Sequence, residues 1–212
     1  MKTILTILAA FAAVGAFALS SEDKAALADA EKSLTNAAAP YAQAQFYPLA
    51  VREILTGTEP GSFAALLERI NKAAAQVTFK SDADRTAQYR SAVVTSALWR
   101  FNGKFIPDGY KYAKENGVAN AYFVIHAQKL GMSEDEELAG YIELFSRASK
   151  GDLWIFKTKS PRFFELLKKQ PADRRKQVLN DLNWRYSEKL ADDEKSFMPV
   201  VKKIRTMLDL CN

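Results

Sequence analysis

Residues 118–149 constrain this chain more than any other stretch, because the starts and stops of two successive helices are written into them. Tyr122, Phe123, Ala127 and Leu130, and then Leu138, Tyr141, Ile142, Phe145 and Ala148, recur at intervals of three and four. That is the one-sided repeat of an amphipathic helix. Gly131 closes the first helix, since helices commonly end on a left-handed residue and glycine adopts that conformation without a Cβ clash. Ser133-Glu134-Asp135-Glu136 opens the second as a capping box, with its carboxylates at the positive end of the helix dipole. Gly151 is the expected stop. The stretch reads as the core hairpin of the fold.

Helical repeats continue on both sides. Residues 62–77 place Phe63, Leu66, Leu67, Ile70, Ala73, Ala74 and Val77 on one face. Ser81, with Asp84 three positions on, caps a helix running to about Phe101. Its broad apolar face, with Tyr89, Val93, Val94, Ala97 and Leu98, predicts neighbours on two sides. Asn102-Gly103 and Pro107-Asp108-Gly109 bracket a loop holding Phe105 and Ile106, and a short helix over 109–116 stops at Gly117. Gly117 and Gly131 close helices in the same way, with no solenoid period sustained beyond them. Upstream, 21–39 carries Leu27, Ala30, Leu34 and Ala37 and ends at Pro40, and 41–55 is bent or delayed by Pro48.

Downstream, Leu153-Trp154-Ile155-Phe156 is the one run of strand-like composition. Too short to build a sheet, it reads as an apolar connector or an exposed lip. Ser160-Pro161 restarts a helix facing Phe163, Leu166 and Leu167 inward. Pro171 breaks it. Residues 173–190 follow with Val178, Leu179, Leu182, Tyr186 and Leu190, and a last helix begins near Ser196 with Pro199 in its first turn. The expectation is an all-α single domain over 21–212, with about nine or ten short amphipathic helices forming a compact bundle or a short array of helical hairpins. The 212 residues, 48% hydrophobic and 26% charged, are enough for a core that needs no metal or disulfide, and they argue against disorder.

Residues 1–20 have the pattern of a secretory signal peptide: Lys2, an uncharged run from Ile4 to Phe17, and small residues around Ala16, Ala18 and Ser20. The run is short for a membrane span, and no later stretch is apolar enough for one. The chain is therefore expected to be exported, periplasmic or secreted, with no integral span after signal removal. Its single cysteine, Cys211, cannot form an internal disulfide and reads as a continuation of the last helix's apolar face.

The charge is uneven. Residues 151–212 hold 14 Lys and Arg against 9 Asp and Glu, while the first 150 residues balance. Lys168, Lys169, Arg174, Arg175 and Lys176 cluster about Pro171 and mark a candidate surface for an anionic envelope polymer, with Trp154 as a candidate exposed aromatic. Catalytic motifs are missing. His126, the only histidine, falls on an apolar face and reads as a core residue. Without a second histidine or a cysteine cluster a structural zinc site is not expected. Tyr110 and Lys114 have the Tyr-x-x-x-Lys spacing of short-chain dehydrogenases, but the alternating strands and Gly-rich turn of that fold are absent. No phosphate loop or calcium loop is present, and no cofactor is expected. The sequence leads to a binding or scaffolding protein, its partner an anionic polymer or another protein. A small envelope hydrolase using carboxylates is the alternative.

Overall fold

The computed structural model describes residues 53–54 and 58–210. The expectations for the signal peptide at 1–20, for the helices at 21–39 and 41–55 apart from the helical Glu53 and Ile54, and for Cys211 lie outside the described residues. Helix accounts for 81% of the structure, and no strand occurs among the described residues. Eight α-helices lie within them. The chain falls into two compact units, one ending at Val118 and one beginning at Ala119.

In the first unit, α1 (Phe63–Ala74) starts where the Ser62 hydroxyl accepts from the Ala65 amide. Helix α2 (Asp82–Trp99) starts the same way, with Ser81 accepting from Asp84 N at 3.1 Å. A side-chain oxygen supplies what the first free amides lack. Packing against both α1 and α3 (Ile106–Asn116) accounts for the broad apolar face of α2. Helix α3 begins earlier than its glycine suggested. Phe105 and Ile106 are buried and belong to its start, and Pro107 sits in the first turn, where its missing amide costs nothing. The core of this unit joins Ile54, Leu66, Ile70, Ala73, Val93, Ala97 and Phe105.

The second unit opens with a 3-10 segment, Ala121–His126, followed by the single turn α4 (Ala127–Leu130). The sequence reads here as one α-helix. Instead Asn120 caps the segment, accepting from Tyr122 N at 3.0 Å, and the three-residue period stacks Ala121, Val124 and Ala127 on the core side. Gly117 and Gly131 close α3 and α4 with the same pair of bonds. Val118 N donates to Ala113 O at 2.9 Å and Gly117 N to Lys114 O at 3.5 Å. Met132 N donates to Ala127 O at 3.1 Å and Gly131 N to Gln128 O at 3.3 Å. Both glycines are left-handed, with φ of 65° and 62°.

Helix α5 (Glu134–Ser146) carries the full capping box: Ser133 Oγ accepts from Glu136 N at 3.2 Å, and Glu136 Oε2 accepts from Ser133 N at 3.0 Å. It ends before Gly151. The buried Ala148, at φ 45°, makes the left-handed reversal instead. Leu153-Trp154-Ile155-Phe156 is not a connector but the first turn of α6 (Leu153–Lys168), which runs on through Pro161. A proline inside a helix costs about 3 kcal/mol, and the aromatic stripe it would interrupt outweighs that. Phe156, Phe163 and Phe164 of this helix pack with Tyr141, Phe145 and Tyr186, ring centroids 4.8 to 6.3 Å apart.

Pro171 breaks the chain as expected, and α7 (Ala172–Glu188) follows with Val178, Leu179, Leu182 and Tyr186 buried. Helix α8 (Leu190–Asp209) is interrupted at Asp193, whose extended backbone and carboxylate re-cap the helix. Its Oδ1 accepts from Ser196 N at 3.1 Å and its Oδ2 from Ser196 Oγ at 2.8 Å. Pro199 consequently lies inside the helix rather than in its first turn. Helices α5 to α8 all contribute to one core.

Candidate functional site

A half-open cleft of about 830 Å³ lies in the second unit between the 3-10 segment with α4, the middle of α5 and the middle of α6. His126 is on its wall. The residue is half-buried, not part of the core. The reason is geometric: a 3-10 turn advances about 120° per residue against 100° for an α-helix. Over the five steps from Ala121 the difference carries His126 about 100° away from its α-helical direction. Burial, then the nearby charges of Lys129 and Lys159, hold its imidazole below its ordinary pKa. No hydrogen bond engages its ring among the described residues.

The floor is polar and locked. Arg162 donates to Glu137 three times, from Nε at 3.3 and 3.2 Å and from Nη2 at 3.0 Å. Burial, and then the neighbouring Glu137 carboxylate, push the Tyr141 phenol up to about 12. Arg162 reaches Glu165 at 2.9 Å and Glu134 at 3.5 Å as well. The Glu137 carboxylate is thus engaged by the Arg162 guanidinium on both oxygens. It is the single carboxylate on the cleft wall among the described residues, which supply no pair of convergent acids there for acid/base chemistry. Val124, Ile125, Met132 and Pro161 give the same cleft an apolar side, and Lys129 and Lys159 give it positive charge.

The five basic residues of the sequence reading surround the α6–α7 turn but are not equivalent. Lys169 is committed to Glu134, at 2.6 and 2.8 Å, and holds that carboxyl below its usual range. Arg174 donates to Gln177 Oε1 at 3.1 Å and Arg175 to Gln170 O at 2.7 Å. Lys168 and Lys176 are exposed. Trp154 is exposed too, at 52%, but it lies at the other end of α6 from Lys168, about 21 Å away at 1.5 Å per residue. The structure therefore does not bring Trp154 into the basic cluster. Trp184, which helical periodicity did not single out, is equally exposed, with the Arg185 guanidinium 5.8 Å from its ring centre.

Among the described residues no group of three or more His, Cys, Asp or Glu is placed to hold a metal ion, and no helix is long and apolar enough to cross a membrane. No family model, curated protein or solved structure matches the chain.

Proposed function

We propose that the chain is an exported, non-catalytic binding protein that meets an anionic envelope polymer at the turn between α6 and α7. One observation carries the reading. Arg174 and Arg175 are each fixed on a neutral oxygen, so the guanidinium groups are ordered while their charge stays uncancelled. Exposed Lys168 extends the same patch. Ordered cations attract a polyanion at long range and lose little side-chain freedom when it arrives. Export rests on the signal-peptide pattern of residues 1–20, and a compact bundle for α5 to α8 rests on their shared core. The hydrolase alternative draws less support, because among the described residues Glu137 is the one carboxylate on the cleft wall and it is held by Arg162.

The test is retention on dextran sulfate at increasing sodium chloride. Retention that falls steeply with salt, and an affinity lowered about tenfold or more in Lys168→Glu/Arg174→Glu, are expected. Lys169 is left intact because its reversal would break the Glu134 pair. Retention that is absent or insensitive to salt overturns the reading.

A further inference from the structure

We infer that the cleft between the 3-10 segment, α5 and α6 binds a small amphipathic carboxylate, with the head group on Lys159 and the apolar tail along Ile125 and Met132. This site is separate from the basic turn and goes beyond the polymer reading. Its volume of about 830 Å³ falls within the roughly 300–1,000 Å³ of small-molecule sites.

Charge selects the head group. Lys159 is half-buried and has no ion-pair partner among the described residues, so its positive charge is open to an anionic group entering the cleft. Lys129 adds a second positive charge on the same wall. Glu137, the carboxylate that lines the cleft among the described residues, is already bound three times by Arg162.

Hydrogen-bonding capacity points the same way. The Lys159 ammonium offers three donors and no acceptor, a neutral His126 offers one donor and one acceptor, and the Glu137 carboxylate is taken up by Arg162. Thr158 also lines the cleft; its hydroxyl donates to its own helix, to Trp154 O at 3.0 Å and Ile155 O at 3.2 Å, so towards the cleft its oxygen can only accept. The donor-only group with no acid beside it among the described residues is the Lys159 ammonium, and a carboxylate matches it. The apolar side comes from Ile125 and Met132, half-buried residues packed on the edge of the core. A head group that accepts and a tail that avoids water together describe an amphipathic carboxylate.

Isothermal titration of the full chain with decanoate, decanol and decyltrimethylammonium, each below its micelle concentration, tests this. Decanoate is expected to bind, decanol about tenfold more weakly and the ammonium not measurably. Lys159→Gln, at a half-exposed position, is expected to weaken decanoate about tenfold and leave decanol unchanged. Met132→Trp, which fills the apolar side, weakens both, and circular dichroism melting verifies that each variant is folded. Lys168→Glu/Arg174→Glu leaves decanoate binding unchanged, so failure at the basic turn and failure here are distinguishable. No heat with millimolar decanoate, equal affinity for all three head groups, or an unaltered decanoate affinity in Lys159→Gln overturns the inference.

Discussion

Gly140 of α5 lies so close to Val124 of the 3-10 segment that a Cβ added to it would meet Val124 Cβ at 2.9 Å and Cγ2 at 3.1 Å. On helix propensity alone, Gly140→Ala gains about 1 kcal/mol. The contact reverses the sign. Val124 is 2% exposed, and inserting a methyl against a packed side chain costs about 1–3 kcal/mol. Gly140→Ala is expected to lower the urea midpoint, and Val124→Ala in the same chain to recover part of the loss. A Gly140→Ala variant more stable than the parent would show that the segment can retreat from α5 at no cost.

That contact also marks the limit of what the sequence makes legible. The Gly117 and Gly131 stops and the caps at Ser62, Ser81 and Ser133 involve residues within five positions of one another, so their chemistry can be read along the chain. The turn at residues 121–126 is tighter than its apolar spacing implies, and the close approach of Val124 to Gly140 is a tertiary contact. With the tighter turn His126 moves from the core to the cleft wall. Helix α6 is a similar case. Ser160-Pro161 has the local signature of a helix start, but the buried aromatic stripe carries the helix through it. Ser160 is fully buried, its hydroxyl 2.7 Å from Lys203 Nζ, a partner 43 residues away.

Pro161 has no amide hydrogen to give the Lys157 carbonyl, the penalty of proline inside a helix. Pro161→Ala restores that donor at a solvent-exposed position, so thermal unfolding is expected to show a gain of about 1–2 kcal/mol. Because the helix already runs on through Pro161, the gain is expected to stay below the full proline penalty. A loss of stability would mean that the proline ring itself contributes to the packing of α6.

The imidazole of His126 is held below its ordinary pKa of 6.5 by burial first and by Lys129 and Lys159 second, and it shares the cleft with Glu137, Tyr141 and Arg162. Between the lowered folded value and 6.5 the unfolded chain binds more protons than the folded one, so stability rises with pH across that window and is level above it. Acidification from pH 7 to 5 should therefore weaken the fold, and His126→Gln should flatten that limb. Asp193 acts lower on the scale. Hydrogen bonds from Lys150 and Ser196 bring its carboxyl from 3.8 to about 2, so its contribution is complete above 3.8 and is lost as pH falls towards 2. Urea midpoints measured against pH in the parent and in His126→Gln separate the two limbs. An unchanged upper limb in the variant would assign it to another group.

Gly131 and Ala148 make chain reversals of the same hand, at φ 62° and 45°, with different residues. Around Gly131 nothing lies within 4 Å of an added Cβ, so Gly131→Ala meets backbone strain alone, about 1–2 kcal/mol. At Ala148 the same strain is already present, and glycine would relieve it. Against that relief stand the loss of a buried methyl, worth about 0.8 kcal/mol, and the added freedom of glycine in the unfolded chain, about 0.4–1 kcal/mol. The terms nearly cancel, and Ala148→Gly is expected to lie within about 0.5 kcal/mol of the parent. The two single variants, compared by urea denaturation, read the two sides of this balance. A neutral Gly131→Ala would mean that packing rather than the left-handed stop ends α4, and a strongly stabilised Ala148→Gly would mean that the methyl of Ala148 contributes nothing to the core it faces.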